Sequence, residues 1–134
     1  MTINMDELFL QARKAADSAY APYSKFRVGA AVLCGDGTIV TGVNVENRSF
    51  GLTVCAERNA IFTSIGMGKR IFMALAISTP DSADPVGPCG ACRQVISEFM
   101  PAETPVRFAG SGPKQVDSTV GELLPFDSLH ELGQ

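Results

Sequence analysis

Two short segments concentrate the residues able to do chemistry: Cys55-Ala56-Glu57-Arg58 and Pro88-Cys89-Gly90-Ala91-Cys92. Cys89 and Cys92 stand three apart at the expected start of a helix, so both sulfurs can face one point. Helix N-termini favour anions, which lowers a thiol's pKa and readies the thiolate for a metal. Cys55 opens another expected helix and can supply a third thiolate from across the site. Three protein ligands leave the fourth tetrahedral position to water, the arrangement of catalytic rather than structural zinc. Glu57 follows Cys55 by two residues, about 200° around a helix. It is therefore not placed to coordinate the same ion, but it can stand beside the open position as a general acid/base.

The elements that must hold these segments are legible as periodicities. Residues 5–20 read as a helix, with Leu8, Ala12, Ala15, Ala16 and Ala19 on one face and Pro22 as its stop. From Val28 to Glu46 two apolar runs flank Gly35-Asp36-Gly37, a hairpin signal in which Asp-Gly supplies the positive-φ positions. Cys55 to about Met67 has helical spacing, with Ala56, Ala60, Ile61 and Ser64 as its inner stripe. Residues 71–79 are a near-continuous apolar run, the mark of a strand covered on both faces. Residues 80–88 are loop by composition. A helix from about Cys89 to Phe99 stops at Pro101, and 104–110 read as a strand. A short helix is expected to open at Ser118, with Glu122 near its start. The tail from Phe126 is expected to be weakly structured or docked on a neighbour, and its His130 receives no role. The order α-β-β-α-β-α-β-α implies an α/β fold, a three-layer α/β/α sandwich around a central mixed β-sheet, with parallel pairing between strands joined through helices. Residues 1–134 show no repeat or linker and are read as one domain.

Composition narrows the function classes. The 134 residues carry 11 basic and 14 acidic side chains, for a net charge of −3, and are 46% hydrophobic. Nucleic-acid binders concentrate basic charge to replace counterions. Here no basic run exceeds two residues, which disfavours a polymeric nucleic-acid substrate. No apolar run approaches the ~20 residues of a membrane span. The N-terminus has early acidic residues and helical spacing, unlike a signal peptide. A cytoplasmic protein is expected, and its four cysteines then read as metal-binding or catalytic rather than disulfide-forming.

Together these segments resemble the short, single-domain, homotetrameric type of cytidine deaminase. The likeness runs from about residue 5 to residue 125. It includes Pro22-Tyr23-Ser24-Lys25-Phe26, Val28-Gly29-Ala30-Ala31, Asn44-Val45-Glu46-Asn47, Thr53-Val54-Cys55-Ala56-Glu57-Arg58 and Glu122-Leu123-Leu124-Pro125. The two cysteine segments match the layout of zinc deaminases, which combine a Cys₃ or His/Cys₂ site, a non-ligand Glu and P-C-x-x-C. The resemblance implies one Zn²⁺ per chain on Cys55, Cys89 and Cys92. It implies hydrolytic deamination of cytidine and 2′-deoxycytidine in pyrimidine salvage, with Glu57 moving protons between water, N3 and the leaving ammonia. It also implies that Asn44 and Glu46 hold the ribose 3′-hydroxyl, that Phe26 packs on the base, and that backbone near Ala56 reads O2. The counterpart of Arg58 donates to the cysteine sulfurs and offsets their charge.

Three departures from the family pattern stand out. Residues 47–51 read Asn-Arg-Ser-Phe-Gly where Asn-Ala-Ser-Tyr-Gly is common. Phe50 therefore lacks a hydroxyl at an expected subunit contact. Arg48 adds a cation near neighbouring sites, where pairing with a local carboxylate is preferred over contact with a ligand's 5′ side. Phe126 follows Pro125 directly, in a shortened tail, so its reach into a neighbour's pocket is in question. A pocket left open there would admit N4-substituted cytosines. Blasticidin S deaminase, with the same cysteine site, is the alternative on substrate. A structural Cys₄ site completed by Cys34, or a redox pair in Cys89-Gly90-Ala91-Cys92, are the non-deaminase readings. Cys34 reads instead as a small packed hydrophobe.

Overall fold

A glycine turn and a close approach of helix to strand shape the sheet. In the computed structural model, which describes residues 2–127, the first helix α1 spans Met5–Ala16 and leads into the hairpin β1 (Gly29–Cys34) and β2 (Ile39–Val43). A 3₁₀ turn at Phe50–Leu52 precedes α2 (Ala56–Gly66), β3 (Phe72–Ser78), α3 (Gly90–Phe99), β4 (Pro105–Ala109), β5 (Gln115–Thr119) and α4 (Val120–Leu123). The strands form one sheet in the order β2-β1-β3-β4-β5. Only β3 and β4 pair in parallel; the other neighbours are antiparallel.

The expected three layers are present. Alternate strand residues point to opposite faces. Ala31, Leu33, Ala74 and Ala76 thus meet Leu8 and Ala12 of α1 on one side. On the other, Ala30, Val32, Leu75 and Ile77 share a core with Ala56, Ala60 and Ile61 of α2 and with Cys92 and Ile96 of α3.

Five local expectations are corrected. The first helix ends at Ala16 rather than 20, because Tyr20 leaves it to pair with the Asn44–Glu46 segment: its N–H donates to the Asn44 carbonyl at 3.0 Å and its carbonyl accepts from the Glu46 N–H at 2.9 Å. In the hairpin only Gly37 has positive φ, +91°. Asp36 instead accepts the Thr38 N–H at 3.0 Å, an Asx turn that needs no left-handed residue. The strand β5 was not expected, and α4 is capped by Thr119, not Ser118, with the Glu122 N–H donating to its hydroxyl at 3.2 Å. An edge strand exposed on both faces carries no alternation, so its sequence reads as polar loop. Register supplies the reason it pairs: Arg107 of β4 lies opposite Asp117 and donates to it at 2.8 Å. Finally, β2 and β3, joined through α2, run the same way but do not pair, because β1 lies between them.

Close packing of α2 on β2 carries a prediction. A Cβ at Gly42 would stand 2.3 Å from the Ala60 nitrogen and 2.6 Å from the Ala56 carbonyl oxygen. Both are backbone atoms, so the whole helix would have to move. Gly42→Ala is expected to cost about 2 kcal/mol or more and to lower Tm by roughly 8 °C. A thermal melt followed by circular dichroism checks this; an unchanged Tm would mean that α2 moves off the sheet at no cost.

Candidate metal centre

Strand direction brings the two cysteine segments together. β2 leads into α2 and β3 into α3, and both strands run the same way, so both helices begin at one end of the sheet. Cys55 is the N-cap of α2 and Cys89 the N-cap of α3, with Cys92 one turn further on. The sulfurs of Cys55, Cys89 and Cys92 all lie within 4.8 Å of one another, and Cys55 and Cys89 are 3.9 Å apart. Tetrahedral zinc with Zn–S of about 2.3 Å sets sulfurs about 3.8 Å apart. Three converging free thiols therefore fit a thiophilic ion. Cys89 is exposed and Cys92 buried, so the cluster has a closed side and a solvent side. Cys34 is also free and buried, at the end of β1, but it is not part of the cluster.

The surroundings favour thiolate. Arg58 donates from Nη2 to the Cys55 sulfur at 3.3 Å. The Cys92 N–H donates to the Cys89 sulfur at 3.4 Å, a helix cap in which sulfur takes the usual place of oxygen. Cys55 makes no capping bond, leaving its sulfur to the cluster. Without metal, the Cys55 thiol is brought down to about 5, first by hydrogen bonding with Cys92 and then by Arg58, against the opposing effect of burial. Cys92 is pushed up in turn, chiefly because it hydrogen bonds to that thiolate and is itself buried.

Glu57 is 4% exposed, and burial raises its carboxyl to about 7, with the Cys55 charge adding to the rise. Ala56, the first residue of α2, is fully buried beside it.

A second cluster adjoins the first through backbone. Val45 and Val54 exchange hydrogen bonds at 2.9 and 3.0 Å, tying the Asn44–Glu46 segment to the residue before Cys55. Asn44 is buried; its Oδ1 accepts the Val28 N–H at 2.9 Å and its Nδ2 donates to the Phe26 carbonyl at 2.9 Å. Glu46 Oε1 accepts the N–H groups of Tyr23 and Ser24 at 3.0 and 3.1 Å, and Oε2 accepts the Ser24 hydroxyl. These bonds, the Ser24 hydroxyl foremost, hold the Glu46 carboxyl below its usual range. Between Ser24 and Phe26, Lys25 adopts φ +61°, a conformation that costs a side-chain-bearing residue energy and needs flanking bonds to persist.

The residues expected at neighbour contacts are exposed. Phe50 is 77% exposed, with its ring edge-on to Tyr23 at 6.3 Å, and Phe126 is 94% exposed. Arg48 is exposed and forms no ion pair among the described residues, so the expected local carboxylate partner is absent there. His130 and the rest of the tail beyond Asp127 lie outside the described residues.

Two residues were not anticipated. Ser24 lies within a motif segment but drew no role; an i to i+2 hydroxyl turn was its local signal. Arg93 donates to the Pro88 carbonyl at 2.8 Å and to the Leu123 carbonyl at 3.0 Å, fixing the approach to Cys89 against α4. Nothing in its local sequence marks that reach.

A mixed-sheet α/β/α scaffold carrying three converging cysteines at paired helix N-termini, with a buried carboxyl beside them, has the layout of a hydrolase site able to hold a zinc ion. Residues 3–107 match the family model described as "Cytidine and deoxycytidylate deaminase zinc-binding region". The chain belongs to this cytidine and deoxycytidylate deaminase family. A cytidine deaminase of Sporosarcina psychrophila is 46% identical, covering 92% of this chain and 90% of its own. One from Halalkalibacterium halodurans is 48% identical, covering 88% and 89%. The crystal structure of cytidine deaminase from Burkholderia pseudomallei superposes with a TM-score of 0.88 at 40% identity, covering 92% of this chain and 98% of that one. A blasticidin-S deaminase of Bacillus cereus is more distant, 36% identical over 76% of each chain.

Proposed function

We propose that this chain is a zinc-dependent cytidine deaminase that converts cytidine and 2′-deoxycytidine, with water, to uridine and 2′-deoxyuridine plus ammonia. The observation that carries the reading is a buried carboxylate, Glu57, beside a three-cysteine cluster it does not join. Cys55, Cys89 and Cys92 would hold one zinc per chain. When bound, zinc supplies Lewis acidity that makes water a nucleophile near neutral pH. Glu57 takes a proton from the attacking water and passes it to N3 of the pyrimidine. The C4–O bond forms; Glu57 then takes the second proton from the new C4 hydroxyl and gives it to the amino group, and the C4–N bond breaks to release ammonia and leave the C4 carbonyl. Burial of the Glu57 carboxyl disfavours its charge and so favours its taking up a proton.

The second cluster supports a nucleoside substrate. Asn44 retains one N–H, and Glu46 retains one acceptor position after its three bonds. In an extended segment, residues two apart share a face. A donor and an acceptor side by side suit a sugar hydroxyl, which needs both. That supports cytidine over blasticidin S; we read Phe26, whose backbone is bonded by Ser24 and Asn44, as packing on the base, and the backbone at Ala56 as reading O2. The spread of basic residues favours free nucleoside over a polymer. We read the assembly as a homotetramer, with exposed Phe50, Leu52 and Phe126 as surface a neighbour would cover. No helix among the described residues is long and apolar enough to cross a membrane, which accords with a cytoplasmic salvage enzyme.

The test is direct. Purified protein with zinc assayed is incubated with cytidine, and the absorbance loss on conversion to uridine is followed. Turnover is expected; a fully metallated chain without turnover overturns the substrate.

Arg58 carries a further expectation. Three thiolates outweigh the charge of Zn²⁺ and weaken it as a Lewis acid, and the Arg58 guanidinium offsets that excess at Cys55. Arg58→Ala is expected to lower kcat about tenfold, the low end for loss of a ligand's hydrogen-bond partner. Full zinc content together with full turnover in the variant would show that Arg58 does not tune the metal.

A further inference from the structure

We propose that Ser24 is a positioning residue that aims the Glu46 carboxylate at the sugar hydroxyl of the nucleoside. The inference rests on the reading of Glu46 as a sugar-binding group. A carboxylate offers about four acceptor positions. Backbone N–H groups of Tyr23 and Ser24 take the two on Oε1, and the Ser24 hydroxyl takes one on Oε2. One position on Oε2 remains, and its direction is set by the bond that occupies the other.

The Ser24 hydroxyl is itself oriented. Its oxygen accepts the Phe26 N–H at 3.0 Å, so its single hydrogen is directed away from Phe26 and onto Glu46. Among the described residues no other side chain hydrogen bonds to Glu46. Ser24 is exposed and contributes nothing to the core, so its hydroxyl has no packing duty that would explain these bonds. The Phe26 backbone is also held from its other side by Asn44, through the Phe26 carbonyl. Ser24 thus links the sugar-facing carboxylate to the backbone that carries the base-facing ring. Losing the hydroxyl leaves Oε2 anchored on nothing and the Phe26 N–H without its acceptor, while Oε1 keeps both of its backbone bonds.

Wild type, Ser24→Ala and Ser24→Thr, each with zinc assayed, are compared on cytidine and on 2′,3′-dideoxycytidine, which lacks the 3′-hydroxyl. Ser24→Ala is expected to raise KM for cytidine on the order of tenfold, the effect of losing a hydrogen bond to a charged group. Its kcat stays within about twofold, because the bond acts on binding rather than on the barrier. KM for the dideoxy nucleoside rises far less, because only the lost bond to the Phe26 N–H acts there, and Ser24→Thr, which restores the hydroxyl, restores KM for cytidine. Equal losses on both nucleosides overturn the proposal, as does an unchanged KM for cytidine or a Thr variant as defective as Ala. A wild-type chain that does not deaminate cytidine overturns the underlying functional reading and this proposal with it, and the wild-type arm identifies that case.

Discussion

Glu57→Gln is expected to lower cytidine turnover by about 10²–10⁴-fold, the range for removing a general acid/base, while zinc content remains at the wild-type level. Gln keeps the shape of the side chain and its place at the head of α2, but it cannot carry a proton. Zinc should stay because Glu57 is outside the sulfur cluster. Folding should hold as well. The wild-type carboxyl is 4% exposed and burial already disfavours its charge, so a neutral isostere removes a strained ion rather than a stabilising one. Turnover by absorbance and zinc by a thiol-displacement assay decide the matter on one preparation. A Gln variant near wild-type turnover would remove Glu57 from the proton path. A Gln variant that loses zinc would make it a ligand or a support for one.

The second large effect is expected at Cys92. Cys92→Ser should strip zinc and abolish measurable turnover, a loss beyond about 10³-fold, since both the Lewis acid and its template go together. Cys92 is fully buried at the floor of the cluster, and a serine there is both shorter and a harder donor than thiolate. Thermal stability should fall with the metal, because an ion bound only by the folded chain stabilises it by mass action. Cys34→Ala is the matched control. Cys34 is buried at the end of β1 and lies outside the cluster, so its removal should leave zinc in place. Zinc lost from the Cys34 variant would revive a four-cysteine structural site, and zinc retained by Cys92→Ser would break up the proposed ligand set.

The residues around this site differ in how far a linear reading reaches them. The cysteine spacing, the helices behind Cys55 and Cys89 and the apolar run of β3 are local patterns of three to ten residues. Local sterics and burial period dictate them, so they were legible. The strand β5 was not, because nothing but pairing with β4 and the Arg107–Asp117 contact makes those polar residues a strand. The end of α1 was misplaced for the same kind of reason. Ala19 continues the apolar face, yet Tyr20 is captured by Asn44 and Glu46 across the fold.

The amino-acid sequence by itself determined the donor set, its thiol character, the helical starts that favour thiolate and the presence of a carboxylate two residues from a cysteine. Those are properties of residue type and short-range spacing. Tertiary structure alone decided that the three sulfurs converge, since that depends on β2 and β3 running the same way with β1 between them. It alone buried Glu57 and so moved its carboxyl toward neutrality, since burial comes from what packs over a side chain. It alone set Ser24 on Glu46, a contact between residues 22 positions apart that no local preference encodes. Chemistry that depends on identity is written along the chain, whereas chemistry that depends on direction and on the exclusion of water exists only once distant segments have packed.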